Sequence, residues 1–254
     1  FLIFSGKPGP LDEHALAGRL SYFLWRSMPD DELRTLASHK RLHDPKMLVG
    51  QVDRMLAHEK SSRFVNDFVG QWLRLKHIDD TSPDDGLYPE FDDLLGTAMP
   101  HETQLFFASL IEDNLSISNF IDSDFTYVNR RLAQHYGIEG VEGQDFRRIE
   151  LPEDSLRGGV LTQAAILKTT ANGTTTSPVT RGNYVLTNIL GTPPSPPPPT
   201  VGSIEPDTRG KTTIREILAS HRDNESCNQC HREIDPPGFA LESFDPIGGF
   251  RTYY

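Results

Sequence analysis

The chain has almost no cysteine. Two occur in 254 residues, Cys227 and Cys230, so the disulfide framework that holds many small secreted domains together is excluded. Positive charge is in deficit: 25 Lys and Arg stand against 36 Asp and Glu, a net −11 at neutral pH. That balance argues against nucleic acid, whose phosphates need a basic face. It favours a basic protein partner instead, through steering of the encounter. No apolar run reaches membrane-spanning length, and Phe1-Leu2-Ile3-Phe4 is too short for a span or a secretory leader. A mean hydropathy of −0.45 describes a polar, globular chain, long enough for one large domain or two ordinary ones.

Several catalytic patterns are incomplete or missing. His58-Glu59 and His101-Glu102 both begin like H-E-x-x-H, but Ser62 and Leu105 stand where the second imidazole is needed, so neither pattern makes a zinc-protease helix. The acid pairs Asp79-Asp80, Asp84-Asp85 and Asp92-Asp93 read as solvated loops and helix starts. No Gly-rich phosphate loop is present. Thr176 and Ser177 read as a helix cap before Pro178 rather than as nucleophiles.

What is present is Cys227-Asn228-Gln229-Cys230-His231, which takes up both cysteines of the chain. The C-x-x-C-H spacing suits covalent haem attachment: two thiols reach the two vinyl groups of one porphyrin and the adjacent imidazole turns onto the iron. Three other readings stay open. Zinc would need two further soft or imidazole ligands, and a second C-x-x-C is absent. A redox dithiol is expected near a βαβ pattern, and none is visible. A plain disulfide across two residues would be structural only. One covalent haem c, with Cys227 and Cys230 as attachment points and His231 as proximal ligand, is the expectation. Such attachment is carried out outside the cytoplasm, which makes the protein periplasmic or secreted. The chain ends at Tyr253-Tyr254, directly after this motif-rich stretch, and reads as a piece of a longer polypeptide.

Only four methionines are present and none follows His231, so the sixth ligand is an upstream residue, a group beyond Tyr254, or absent, leaving an open site. Met99, on a long predicted helix, is the candidate, with His101, His135 and His221 as weaker ones. After the motif, Asp235-Pro236-Pro237-Gly238-Phe239-Ala240-Leu241 is expected to line the haem; the alternative is that Pro-Pro-Gly is only a turn and that Phe239 and Leu241 begin an ordinary packed helix. Phe239 and Leu241 would lie on the porphyrin edge, and a proline carbonyl such as that of Pro236 would accept the Nδ1 proton of His231.

Hydrophobic spacing predicts a mainly α protein. Helices are expected from Asp12 to Trp25, from Pro29-Asp30-Asp31-Glu32, from Asp44-Pro45, through Phe64, Phe68, Trp72 and Leu75, from Phe91 to Ile111, and from about Val128 to Tyr136 with Gly137 as C-cap. The stretch from Gly140 to Asp154 shows no period and is read as the boundary between residues 1–150 and 151–254. Further helices are expected over Val160–Lys168, from Pro178 to Gly191, and over Thr212–His221. Between the last two, Pro193-Pro194-Ser195-Pro196-Pro197-Pro198-Pro199 is a polyproline II segment, read as a stiff strap.

A family resemblance follows from motifs in fixed order. Arg157-Gly158-Gly159, Thr176-Ser177-Pro178-Val179, Arg181-Gly182, the polyproline run, His221-Arg222, the C-x-x-C-H pentapeptide and Asp235-Pro236-Pro237-Gly238-Phe239-Ala240-Leu241-Glu242 resemble the domain of unknown function DUF1588. Leu16 to Trp25, Pro29 to Leu33, Gln71-Trp72-Leu73 and Leu132-Ala133-Gln134-His135-Tyr136-Gly137 resemble its usual neighbour DUF1592. The resemblance implies a haem-c-like, non-cytoplasmic protein of planctomycetes and related bacteria, with a helical first domain and a small cytochrome-like second one. It supplies no reaction. Electron transfer to a redox partner, or to further domains of the same polypeptide, is the expected role; a non-redox scaffold or an open-site haem enzyme is the alternative.

Overall fold

The computed structural model describes residues 9–195, 213–222 and 225–252. Ten α-helices, four short 3-10 turns, one π-helical turn and a two-stranded sheet make up the regular structure of those residues, so the fold is mainly α. The expected strap lies outside the described residues from residue 196 onward.

The helices begin where the caps predict. Asp12 accepts from the Ala15 N–H to open α1 (Glu13–Trp25), and Asp30 accepts from Leu33 N–H to open α2 (Asp31–Ser38). Asp44 accepts from Lys46 N–H ahead of Pro45, opening α3 (Pro45–Leu56). Each carboxylate satisfies a backbone donor that has no partner inside the helix. Next come α4 (Ser62–Trp72) and the long α5 (Asp93–Glu112). The expected helix from Val128 starts two residues later as α6 (Arg130–Tyr136), capped by Asn129 and closed by Gly137 at φ 71°. Val128 instead ends strand β1 (Phe125–Val128). Its β-branched and aromatic residues favour extended backbone, and it pairs antiparallel with β2 (Arg147–Glu150), Phe125 opposite Glu150 and Val128 opposite Arg147. Thus the aperiodic stretch read as a boundary holds a strand that pairs back onto its predecessor. Then follow α7 (Ala164–Thr169), α8 (Pro178–Tyr184) with a π-helical turn to Ile189, α9 (Ile214–Arg222) and α10 (Glu225–Ala240). Ser177 caps α8, accepting from Thr180 N–H. Thr213 and Glu216 cap α9 reciprocally, each side chain accepting the other's N–H at 3.2 and 3.0 Å.

The chain folds into two compact units: Phe1–Gln71 with Gln104–Asn119, and Trp72–Thr103 with Phe120–Tyr254. The first has a core around Leu24, Trp25, Leu33, Leu42 and Met55, with Trp25 Nε1 donating to the Met55 carbonyl at 2.9 Å. The second is fastened by side chains that cap distant backbone. Trp72 Nε1 donates to the Asn188 carbonyl at 2.6 Å, and Asn188 Nδ2 donates back to Trp72 O at 2.7 Å. Tyr184 donates to Leu73 O at 3.0 Å. The buried Lys168 reaches the carbonyls of Ile78 and Thr81. These bonds explain why residues 72–103 fold with the C-terminal part of the chain.

Candidate functional site

Helix α10 carries the pentapeptide. Cys227 and Cys230 are three residues apart and Cys227 and His231 four apart, so all three share one helical face. Cys227 is buried, Cys230 half-buried, and both are free thiols. The helix does not end at the prolines. It runs through Pro236 and Pro237 to Ala240, although neither can donate to the carbonyl four residues earlier. Those carbonyls belong to Arg232 and Glu233, both exposed, where water can take the place of the missing N–H groups.

Continuation of the helix changes the partner of His231. The expected proline carbonyl is not used. The i+4 residue, Asp235, lies one turn on, and its Oδ1 is 2.9 Å from His231 Nδ1. Asp235 is fully buried. Its Oδ2 has no hydrogen-bond partner, and Arg222 Nε, from the end of α9, stands at 3.8 Å as an ion-pair neighbour. The His-Arg and Asp-Pro-Pro motifs therefore meet as a row, Arg222–Asp235–His231.

What holds α10 in place is α8. A Cβ at Gly182 would lie 1.8 Å from Ile234 O, and one at Gly238 would lie 1.8 Å from Pro178 O. Only glycine at both positions lets the two backbones touch. Beside them Arg181, fully buried, donates to the carbonyls of Leu241 (2.6 Å), Phe244 (2.7 Å) and Asp245 (3.0 Å) just past the end of α10. Glu242 takes the Arg181 guanidinium at 3.4 Å, the Thr176 hydroxyl at 2.6 Å and Arg251 at 3.3 Å. Burial lowers the pKa of Arg181 to about 10, against the opposing pull of Glu242. The Thr176–Gly182 motif and the Asp235–Glu242 motif are thus the two sides of one helix contact.

Other expected site residues are placed elsewhere. Leu241 packs with Leu167, Val185 and Phe244 in a core cluster. The Arg215 guanidinium lies 4.3 Å from the centre of the Phe239 ring, about 13 Å along the helix axis from Cys230 at 1.5 Å per residue. Pro236 is exposed. Met99 is fully buried in α5. The helix register sets these positions: it puts Cys227, Cys230 and His231 within about one turn of one another, Asp235 one turn on from His231, and Phe239 about two turns beyond His231.

A second polar cluster went unnoticed in the sequence. Glu102 of α5 is buried, accepting from Thr126 at 2.6 Å and from Tyr136 at 2.5 Å. Burial pushes its carboxyl up to about 7 against those two donors. Tyr136 in turn accepts from Ala164 N–H at 2.8 Å, and the Arg157 guanidinium lies 3.7 Å from the centre of its ring. Arg157 is spent on the carbonyls of Thr162 (2.7 Å) and Gly248 (2.6 Å). Next to Tyr136, burial drives His135 down to about 4, though its Nε2–H donates to Ile247 O at 2.8 Å. Of these residues His135, Tyr136 and Arg157 help wall a cleft of about 500 Å³, while Glu102 and Thr126 lie outside its lining. The near-match His101-Glu102 was discounted because a zinc helix lacks its second histidine there; what makes Glu102 notable is burial, which sequence does not display.

The fit of a c-type haem rests on the donor set itself. Two free cysteines and an imidazole share a face, and the imidazole's Nδ1 is held by a carboxylate. Zinc fits less well: among the described residues no three or more His, Cys, Asp or Glu side chains converge on a common point.

The architecture is that of a mainly helical protein whose C-terminal unit presents a C-x-x-C-H helix. Residues 11–138 match the family PSD4, described as a protein of unknown function (DUF1592), and residues 157–254 match PSCyt3, described as a protein of unknown function (DUF1588). The chain belongs to the DUF1592 family and carries a DUF1588 domain. Comparison with curated proteins and with solved structures returns no match. The two family matches do not follow the compact units: residues 72–103 and 120–138 of the first match fold with the second. Among the described residues no helix is long and apolar enough to cross a membrane.

Proposed function

We propose that this protein is a c-type haem module that transfers electrons in a periplasmic or secreted redox system. One observation carries the reading: Cys227, Cys230 and His231 lie on a single face of α10, with both thiols unpaired and the His231 ring held by Asp235. Cys227 and Cys230 would form the thioethers, and His231 would ligate through Nε2. The bound haem supplies a one-electron couple at its iron. The chain's own residues would attach it, orient the ligand ring and, through the close approaches of Gly182 to Ile234 and of Gly238 to Pro178, keep the attachment helix seated. The protein partner is a redox protein or a further domain of the same polypeptide, and the acidic surface favours a basic docking face. The family name PSCyt3 accords with a cytochrome-type role. Met99 is the candidate sixth ligand, although full burial in a helix is equally what core packing gives a methionine.

The test is intact-mass spectrometry of the chain made in a host with haem-attachment machinery. The reading expects the mass of one haem and an absorption spectrum that survives acid-acetone extraction. An unmodified mass, with two thiols or one disulfide, refutes it. A low-spin reduced spectrum supports electron transfer, whereas a high-spin one overturns electron transfer in favour of an open-site enzyme.

A further inference from the structure

We propose that Asp235 is a positioning residue for His231, fixing which ring nitrogen carries the proton and raising the electron-donating power of the other. The proposal rests on the reading of His231 as a haem ligand, and it stands on the geometry of α10. His231 and Asp235 are one turn apart with Nδ1 and Oδ1 at 2.9 Å. A carboxylate only accepts, so the neutral ring must place its proton on Nδ1. The carboxylate is fully buried and cannot exchange this bond for water. Arg222 at 3.8 Å is its cationic neighbour, and Oδ2 has no hydrogen bond of its own, so the bond to His231 is the main directional interaction of that side chain. A buried anion at Nδ1 gives the ring more imidazolate character than a carbonyl would. Outer partners of ligating histidines act in this way, raising ligand basicity. Stronger donation stabilises the oxidised metal, and hydrogen bonding is one of the levers that set a haem potential. The module is therefore built toward a low potential.

Two measurements separate this proposal from the haem reading. The first uses the 254-residue chain without haem and with reduced thiols. Nitrogen-15 NMR of the neutral His231 ring should show the Nδ1–H tautomer dominant. Asp235→Ala should lower the ratio of Nδ1–H to Nε2–H at least fivefold. A wild-type ring that is mainly Nε2–H overturns the proposal, and this readout needs no variant to fold. The second uses haem-loaded protein whose attachment has been established by mass. Asp235→Asn keeps an acceptor but removes the charge. It should raise the ratio of reduced to oxidised haem at fixed potential about tenfold, equivalent to about 59 mV for one electron. An unchanged midpoint with the haem attached overturns the proposal. Failure to attach haem refutes the proposed function, and the tautomer then decides the role of Asp235 by itself.

Discussion

Replacing Gly182 by alanine adds a single methyl group to α8 at the point where α10 crosses it. The new Cβ would sit 1.8 Å from Ile234 O, 2.8 Å from Ile234 C and 3.1 Å from Ile234 Cγ2, where ordinary contact begins near 3.4 Å. The nearest atom is backbone and cannot swing aside, so the helices must separate by about 1.5 Å. A gap of even 0.5–1 Å forfeits roughly a quarter to a half of each dispersion contact along the seam. Overpacking of this kind costs about 1–3 kcal/mol or more. Alanine's better helix propensity offsets about 1 kcal/mol of that. Net destabilisation of about 2 kcal/mol is expected, from the upper end of that range. Gly238→Ala should cost a similar amount, since its Cβ would meet Pro178 O at 1.8 Å. One separation of the helices relieves both clashes, so the double variant should fall well short of the sum of the two. The assay is urea unfolding followed by Trp72 fluorescence in a Trp25→Phe background, because Trp72 lies in the second unit and Trp25 in the first. A Gly182→Ala protein as stable as its parent, or strict additivity of the pair, would refute the reasoning.

Arg181→Met should destabilise the second unit by about 3–5 kcal/mol, the range for removing one partner of a buried ion pair. Arg181→Lys should not restore it, because one ammonium cannot reach the carbonyls of Leu241, Phe244 and Asp245 together; urea midpoints decide both. A third expectation concerns pH. Glu102 has its folded pKa raised from 4.5 to about 7. The folded state therefore binds its proton more tightly, and this group's contribution to stability is lost as pH rises from about 4.5 through 7, an effect on the order of 3 kcal/mol. His135 has its folded pKa lowered from 6.5 to about 4, so its contribution is present above 6.5 and lost as pH falls through 4. The two slopes oppose each other between about pH 4.5 and 6.5. Glu102→Gln should expose stability that falls toward acid, His135→Gln stability that falls toward neutral, and identical pH profiles in both variants would contradict the assignment.

The parts of the fold legible from sequence were those decided locally. Asp12, Asp30, Asp44 and Ser177 cap their helices through bonds spanning two or three residues, so their signal lies within a few positions of the chain. The same is true of Gly137 at the end of α6. The β1–β2 pair was missed because each strand is four residues long and its partner lies across α6; periodicity has too few positions to speak, and pairing is a contact at a distance. The compact units divide the chain at other places than that stretch, for a related reason. Gly140 to Asp154 shows no apolar period, yet β2 within it is held by β1, while Trp72 and Tyr184 tie early residues to late ones over more than a hundred positions.

The candidate site divides in the same way. C-x-x-C-H is a statement about spacing, and on a helix that spacing puts two thiols and an imidazole on one face, so the sequence by itself determined the donor set presented there. Its motifs also marked Arg181, Gly182, Asp235 and Gly238 without saying what they do. The tertiary structure decided that. Glycine reads as permissive backbone until another helix is seen at 1.8 Å from where its Cβ would be. Asp235 carries no role of its own in the motif until the helix is seen to continue through two prolines, leaving it buried against His231. Burial and close approach depend on which distant surfaces meet, and no window of consecutive residues contains that information.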